Sequence, residues 1–526
     1  MSLPVATPLL RWRPLWPMVL ALVAIVALWL AHPTVGDLQA AIAREEAARS
    51  GVGLGYWFGW YGGVSPGSYS LIVPALSTLT GSLLLLCIAT AIIALLSIPL
   101  SKGGSHPTVL MWAITAAAVL NMLSGRVAFS VGAAIALAAI LAFRRNLLPL
   151  AAAGLLVAGL ASPLAPAFVG LAALPFALGK DAKARKVWWI LGGAGLGVVV
   201  PFVMFGAPGA QGFPATTLFW MALIAIGAAF ALTIPPARWI VPLASAVAIF
   251  MFLVPTGIGS NLSRFFCLVL PCICLFYSKK SLKFLAIALA PALVYAVFVA
   301  TADQVVGADS GKSETSYTPL QSLLLAQPEI DNHRVELVDA QTHAGAHKLG
   351  LDIKLARGWE NQSDSRYNPI FYEEGALTPD SYRGWLAENA VAFVAVSAEP
   401  LRQLKEEAAL VTDGLPYLDR IWGNDDWTLY RVADPQPIVP QPLAVVESSP
   451  SQLVLDVPNA DTHPIQLRYN KYLVARSSVD DSVYACIEET EDSWISLRAP
   501  VPGQYTLEGL LSVRGVVGAQ PADCGA

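Results

Sequence analysis

Through the first three hundred residues, apolar positions come in unbroken runs, without the polar face that a soluble amphipathic helix would show. The runs lie near 15–31, 79–100, 107–123, 127–143, 147–162, 164–180, 187–205, 216–234, 239–256, 262–278 and 283–301. A bilayer is crossed by about 17–25 predominantly apolar residues, so this pattern predicts about eleven membrane helices, several of them short. Beyond residue 302 the pattern changes. Helical periodicity at 381–389 and 400–410 alternates with short apolar strands, Arg334-Val-Glu-Leu-Val and Ala390-Val-Ala-Phe-Val-Ala-Val, which predicts a small α/β domain. Prolines 435, 437, 440 and 442 mark a linker. After them, Gln452-Leu-Val-Leu-Asp-Val, Ile465-Gln-Leu-Arg-Tyr, Trp494-Ile-Ser-Leu-Arg and Gln504-Tyr-Thr-Leu-Glu alternate apolar with polar positions, as in an antiparallel β-sandwich. The expected organisation is a membrane domain over 1–302 with an outer loop at 32–78, an external α/β domain over 303–435, and an external β-sandwich over 440–526.

Charge adds an orientation. Arg11, Arg13, Lys102, Arg144, Arg145, the basic stretch 180–186, Arg238, Lys279, Lys280 and Lys283 occupy every second connector. By the positive-inside tendency they share the cytoplasmic side, with the N-terminus inside and loop 32–78 and the C-terminal half outside the plasma membrane. His32 and Pro33 after the first run lack a small-x-small cleavage pattern, so an uncleaved anchor is expected. The net charge of −4 is divided between basic membrane loops and an acidic soluble part, and supports no nucleic-acid partner. Four of the six cysteines fall in predicted helices; Cys486 and Cys524 lie in the soluble end, where a disulfide between them is expected.

The candidate chemistry clusters on the outer side. Asp37 begins an amphipathic pattern, Val35, Leu38, Ala41 and Ile42, read as a helix lying in the membrane interface with Arg44, Glu45, Glu46 and Arg49 on its solvated face. Arg126 and Arg264 interrupt outer connectors that otherwise lack positive charge, against the usual bias. An arginine at membrane depth is costly unless paired, and its planar fork suits a phosphate. A carboxylate and two cations are the minimum for holding a phosphate-linked lipid and activating a hydroxyl. Between the interfacial pattern and the second run stands Gly51–Ser70, with Tyr56, Trp57, Trp60 and Tyr61 interleaved with glycine. These rings are candidates for membrane-interface anchors, and the segment for the wall of a surface cavity. His343 and His347 stand four apart, but Gly345 between them and the lack of a nearby carboxylate argue against a zinc site.

The layout resembles the GT-C glycosyltransferases: a first helix followed by a long outer loop with an early Asp, about ten further spans and an external C-terminal domain. More narrowly, Trp60-Tyr-Gly-Gly-Val-Ser-Pro-Gly-Ser-Tyr69, Ala161-Ser-Pro-Leu-Ala-Pro166, Gly259-Ser-Asn-Leu-Ser-Arg264, Ala356-Arg-Gly-Trp-Glu360 and Asn368-Pro-Ile-Phe-Tyr372 look like polytopic membrane proteins of actinobacteria, a resemblance that brings no activity with it. The GT-C resemblance implies a polyprenyl-phosphate sugar donor, a cell-envelope glycan or lipid acceptor, Asp37 as base, and Arg126 and Arg264 on the donor phosphate. It also implies sugar-facing surfaces for the rings of Tyr56, Trp57, Trp60 and Tyr61, and an acceptor groove lined by Trp359, Glu360, Asp364 and Tyr372. Family members often carry a paired Asp-Asp or Asp-Glu where Asp37 stands alone, so a divalent cation is left open as a cofactor and no other is assigned. A transporter or flippase of envelope precursors, or a membrane scaffold with glycan-binding or partner-binding external domains, remains the alternative.

Overall fold

The computed structural model describes residues 15–309, 314–339, 343–399 and 404–521. The chain forms two compact units: one of residues 1–38, 79–202 and 210–305, the other of residues 39–78, 203–209 and 306–526. The units thus depart from the sequence-based division at 302: residues 39–78 and 203–209 fold with the C-terminal half.

The first unit is helical and apolar, a polytopic membrane fold. Ser82–Ser101, Val127–Arg144, Ala182–Phe205, Gly259–Tyr277 and Leu282–Ala308 are long and apolar enough to cross a bilayer. The bent pair Trp16–Ala31 and Gly36–Arg49 would make a sixth. Pro107–Leu123, Leu148–Ala161, Leu164–Ala177, Ala215–Ala231 and Ala237–Leu253 are shorter apolar helices. Lipid is as apolar as leucine, so these helices associate through close packing rather than hydrophobic exclusion. At the crossing of Leu148–Ala161 with Ala182–Phe205, a Cβ on Gly159 would lie 2.0 Å from the Gly197 carbonyl oxygen. Alanine dominates the core around Ala151, Ala158, Ala228 and Ala244 for the same reason.

The second unit holds two sheets. Strands β1 (Arg334–Val338), β2 (Val391–Ser397), β3 (Leu418–Gly423) and β4 (Trp427–Val432) are ordered β1-β2-β4-β3, with β1 and β2 parallel and the other pairs antiparallel. Every residue of β2 is buried, as expected of a strand covered on both faces. Strands β5 (Ala444–Ser448), β6 (Gln452–Val457), β7 (Thr462–Arg468), β8 (Leu473–Ser477), β9 (Tyr484–Glu489), β10 (Trp494–Arg498) and β11 (Gly503–Gly509) follow the order β5-β6-β11-β8-β9-β10-β7. Their alternating inward residues close one β-rich core. The proline-marked segment is not a free linker. Ile438 and Val439 are buried, and Asn332 bonds the backbone of both.

Candidate functional site

Three elements of the first unit bring the predicted carboxylate and arginines together. Asp37 stands in the first turn of Gly36–Arg49, where the helix dipole favours a carboxylate. Arg126 ends the turn Ser124–Arg126 between two membrane helices. Gly125 makes that turn possible: its φ is +72°, and a Cβ there would lie 2.8 Å from the Leu38 nitrogen. Only glycine lets the loop bearing Arg126 come this close to the helix start bearing Asp37. Arg264 precedes a π-helical turn, Phe265–Val269, a local widening that redirects side chains and recurs at functional sites.

Arg126 Nε lies 3.4 Å and Arg264 Nη2 3.8 Å from Asp37 Oδ2. Arg126 Nη2 also lies 3.6 Å from Asp303 Oδ2, a partner that the sequence reading missed because Asp303 was placed at the start of the soluble half. Its signal was an acid near the end of the last apolar run. The arginines are mostly shielded, while the two aspartates are about one-third open. Arg126 and Arg264 line a cavity of about 150 Å³ whose polar lining also includes Asn121, Ser260, Asn261 and Ser263. Asn121 Nδ2 donates to Ser130 Oγ at 2.7 Å, and its Oδ1 has no hydrogen-bond partner among the described residues. Asn121 and Leu268 also line a second cavity of about 470 Å³, which is almost wholly apolar and bordered at its far end by Arg144.

The aromatic segment is placed elsewhere and does another job. Tyr56, Trp57, Trp60 and Tyr61 are each only 1% exposed, inside the second unit. Successive side chains of an extended segment point to opposite sides. Tyr56 and Phe58 therefore enter the core of the seven-stranded sheet, and Trp57 enters that of the four-stranded one with Trp60 and Tyr61. Tyr56 Oη donates to Gly62 O and Arg468 O, and Tyr61 Oη to Gly358 O. Rings buried in this way present no face to a sugar, which corrects the substrate-binding and cavity-wall readings. The solvated-face reading of Arg44 and Glu45 is corrected too. Both are buried, with Arg44 3.8 Å from Glu360 and over the Tyr69 and Trp60 rings. Most of Leu38–Ala47 is covered by protein, so the helix does not lie open in an interface.

The proposed acceptor-groove residues are likewise occupied. Trp359 stacks on His343 at 4.0 Å, and Glu360 accepts from Ser363 Oγ. Asp364 is gripped by Arg357 at 2.7 and 2.9 Å and accepts from Asn368 and Tyr372. Among the described residues no three His, Cys, Asp or Glu side chains are grouped to hold a metal ion. Cys486 is buried on β9; its expected partner Cys524 lies outside the described residues.

Arg357 also faces Glu407 at 3.2 Å and Glu336 at 3.6 Å, so one cation serves three buried carboxylates. Burial, reinforced by Glu407, holds the Glu336 carboxyl well above its ordinary 4.5. Burial raises Glu407 as well, with Arg357 opposing. The folded chain then binds a proton more tightly than the unfolded one, so this contribution is complete below about pH 4.5 and is lost as pH rises through the folded value. The unfolding temperature of the whole protein should fall as pH rises above about 4.5, and Glu336→Gln should flatten that part of the profile. A variant profile parallel to the parent's would refute the assignment.

The fold and this cluster define a class: a multi-pass helical membrane protein carrying an α/β and β-rich unit, with two arginines and two aspartates paired among its apolar helices. No family model and no curated protein matches the chain. Among solved structures it is similar to the arabinofuranosyltransferase AftD from mycobacteria, at 15% identity and a TM-score of 0.43, covering 85% of this chain and 41% of that one. It is also similar to a point mutant of that protein, at 14% identity and a TM-score of 0.45, covering 80% of this chain and 42% of that one. The chain thus spans well under half the length of either.

Proposed function

We propose that the protein is a membrane glycosyltransferase that moves a sugar from a polyprenyl-phosphate donor to a hydroxyl of a cell-envelope glycan or lipid on the outer face. The observation that carries this reading is the meeting of Asp37 with Arg126 and Arg264 within 4 Å, the two arginines lining a polar cavity that shares Asn121 and Leu268 with a larger apolar one. Phosphate belongs with the paired guanidiniums, whose forks match its oxygens. An isoprenoid chain belongs in the apolar cavity. In the proposed step the acceptor oxygen bonds to the anomeric carbon while its proton passes to the Asp37 carboxylate. The bond from that carbon to the phosphate oxygen breaks, and the lipid phosphate leaves with the electron pair, its charge balanced by Arg126 and Arg264. Asp303 holds Arg126 in position.

The test is transfer of labelled sugar from a panel of polyprenyl-phosphate sugars by full-length protein in nanodiscs. Asp37→Asn should lower transfer about a hundredfold, the low end of general-base contributions, with the unfolding temperature unchanged. Full activity in that variant would sink Asp37 as the base. A second reading, a flippase, is favoured by one observation: the apolar cavity is lined both by Asn121, beside the turn Ser124–Arg126, and by Arg144, at the far end of the helix Val127–Arg144 that leaves that turn. Lipid translocation that persists in Asp37→Asn, with no transfer in either protein, would select it.

A further inference from the structure

At one end of strand β11 the second unit exposes a cluster of apolar side chains that no core claims: Leu510, Leu511, Val513 and Val517, the last two 82% and 74% exposed. Arg514 stands exposed among them. Beneath lies Lys471-Tyr472, at the start of β8. Leu510 N donates to Tyr472 O at 2.8 Å, and the short helix Val513–Val516 packs Gly515 against the Tyr472 ring. An exposed patch of this composition needs a partner, because water around four large aliphatic side chains is unfavourable.

The same unit contains residues 203–209. Val203, Met204 and Phe205 are the last residues of the helix Ala182–Phe205, which has the length and composition of a membrane span. Lys471 Nζ donates to Val203 O and Val516 O, Tyr472 Oη donates to Met204 O, and the Phe205 and Tyr472 rings lie 5.3 Å apart. The end of a spanning helix marks the depth of the bilayer boundary. Lysine and tyrosine are the residues whose apolar bodies and polar tips suit that boundary.

We propose that residues 510–517 form a membrane-inserting tip: Leu510, Leu511, Val513 and Val517 dip among the lipid acyl chains, while Lys471 and Arg514 lie at the level of the phosphate headgroups. Aliphatic residues beside basic ones, here Lys471 and Arg514, have the composition of interfacial anchors. The tip tethers the β-rich part of the unit to the membrane and does not depend on the proposed transferase activity. The exposed valines at the other end of the same strands, Val479 and Val501, supply an internal reference. In the β8–β11 pairing Leu473 meets Gly509 and Ser477 meets Tyr505, so the two ends are separated by the length of β11, roughly 20 Å at about 3.3 Å per residue.

The experiment uses the full-length protein in vesicles of phosphatidylcholine and phosphatidylglycerol, with a polarity-sensitive fluorophore on Val513→Cys or Val517→Cys and, as reference, on Val479→Cys or Val501→Cys. Nitroxide-labelled phosphatidylcholine should quench the 513 and 517 probes several-fold more than the reference probes, and aqueous iodide should do the reverse. Equal iodide quenching at both ends would overturn the proposal. So would a 513 probe shielded from nitroxide and iodide alike, which would mean that a protein surface covers the patch.

Discussion

Replacing Arg357 with methionine should destabilise the second unit by roughly 3–5 kcal/mol, the cost of breaking a buried ion pair by removing one partner. Methionine keeps most of the volume and the contact with Phe371, whose ring lies 4.1 Å from the guanidinium, so lost packing is not the cause. The cause is electrostatic. Without Arg357, the Asp364 carboxylate keeps only its hydrogen bonds from Asn368 and Tyr372 inside the core, and Glu336 and Glu407 lose the one cation they face. Denaturant or thermal unfolding of the purified protein measures the loss. Combining Arg357→Met with Asp364→Asn should recover part of it, because Arg357 holds the Asp364 carboxyl below its ordinary range and Asp364 is the buried charge left behind. An Arg357→Met protein as stable as its parent would show that the three carboxylates are already neutral in the fold.

Trp60→Ala should be almost as damaging, again about 3–5 kcal/mol, because a large buried ring leaves a cavity that its neighbours cannot fill. Trp60 packs on Trp57 at 4.4 Å between ring centroids, lies under the Arg44 guanidinium, and closes against Gly358, where a Cβ would meet its ring at 2.4 Å. The result also separates two roles for the aromatic segment. A core ring predicts early unfolding and protease sensitivity, largely relieved by Trp60→Phe. A sugar platform predicts weaker transfer at unchanged stability, and that outcome would restore the substrate-binding reading.

The difference between expectation and structure at this segment has a physical origin. Glycine-flanked aromatics next to an apolar run have the composition of both a membrane-surface site and a loop threaded into a core. Composition does not record what lies on the other side of each ring. Here that other side consists of residues three to four hundred positions away, such as Gly358 and Arg468, which accept hydrogen bonds from Tyr61 and Tyr56. The Arg44–Glu360 pair and the buried Ile438–Val439 segment were hidden for the same reason. Asp37, Arg126 and Arg264 were legible because each is anomalous locally: a carboxylate at a helix start, and cations in connectors otherwise without them.

By itself the sequence determined the apolar helices and where they lie, the switch to α/β and then β patterns after them, and which three charged residues are out of place. These follow from periodicity and desolvation cost, both local properties. Tertiary structure alone decided that the three meet within 4 Å and that Asp303 joins them. It also decided that the aromatic loop is core rather than site, and that one arginine answers for three carboxylates. Each of these depends on which distant surfaces share a low-dielectric interior, and a one-dimensional pattern of polarity does not encode that.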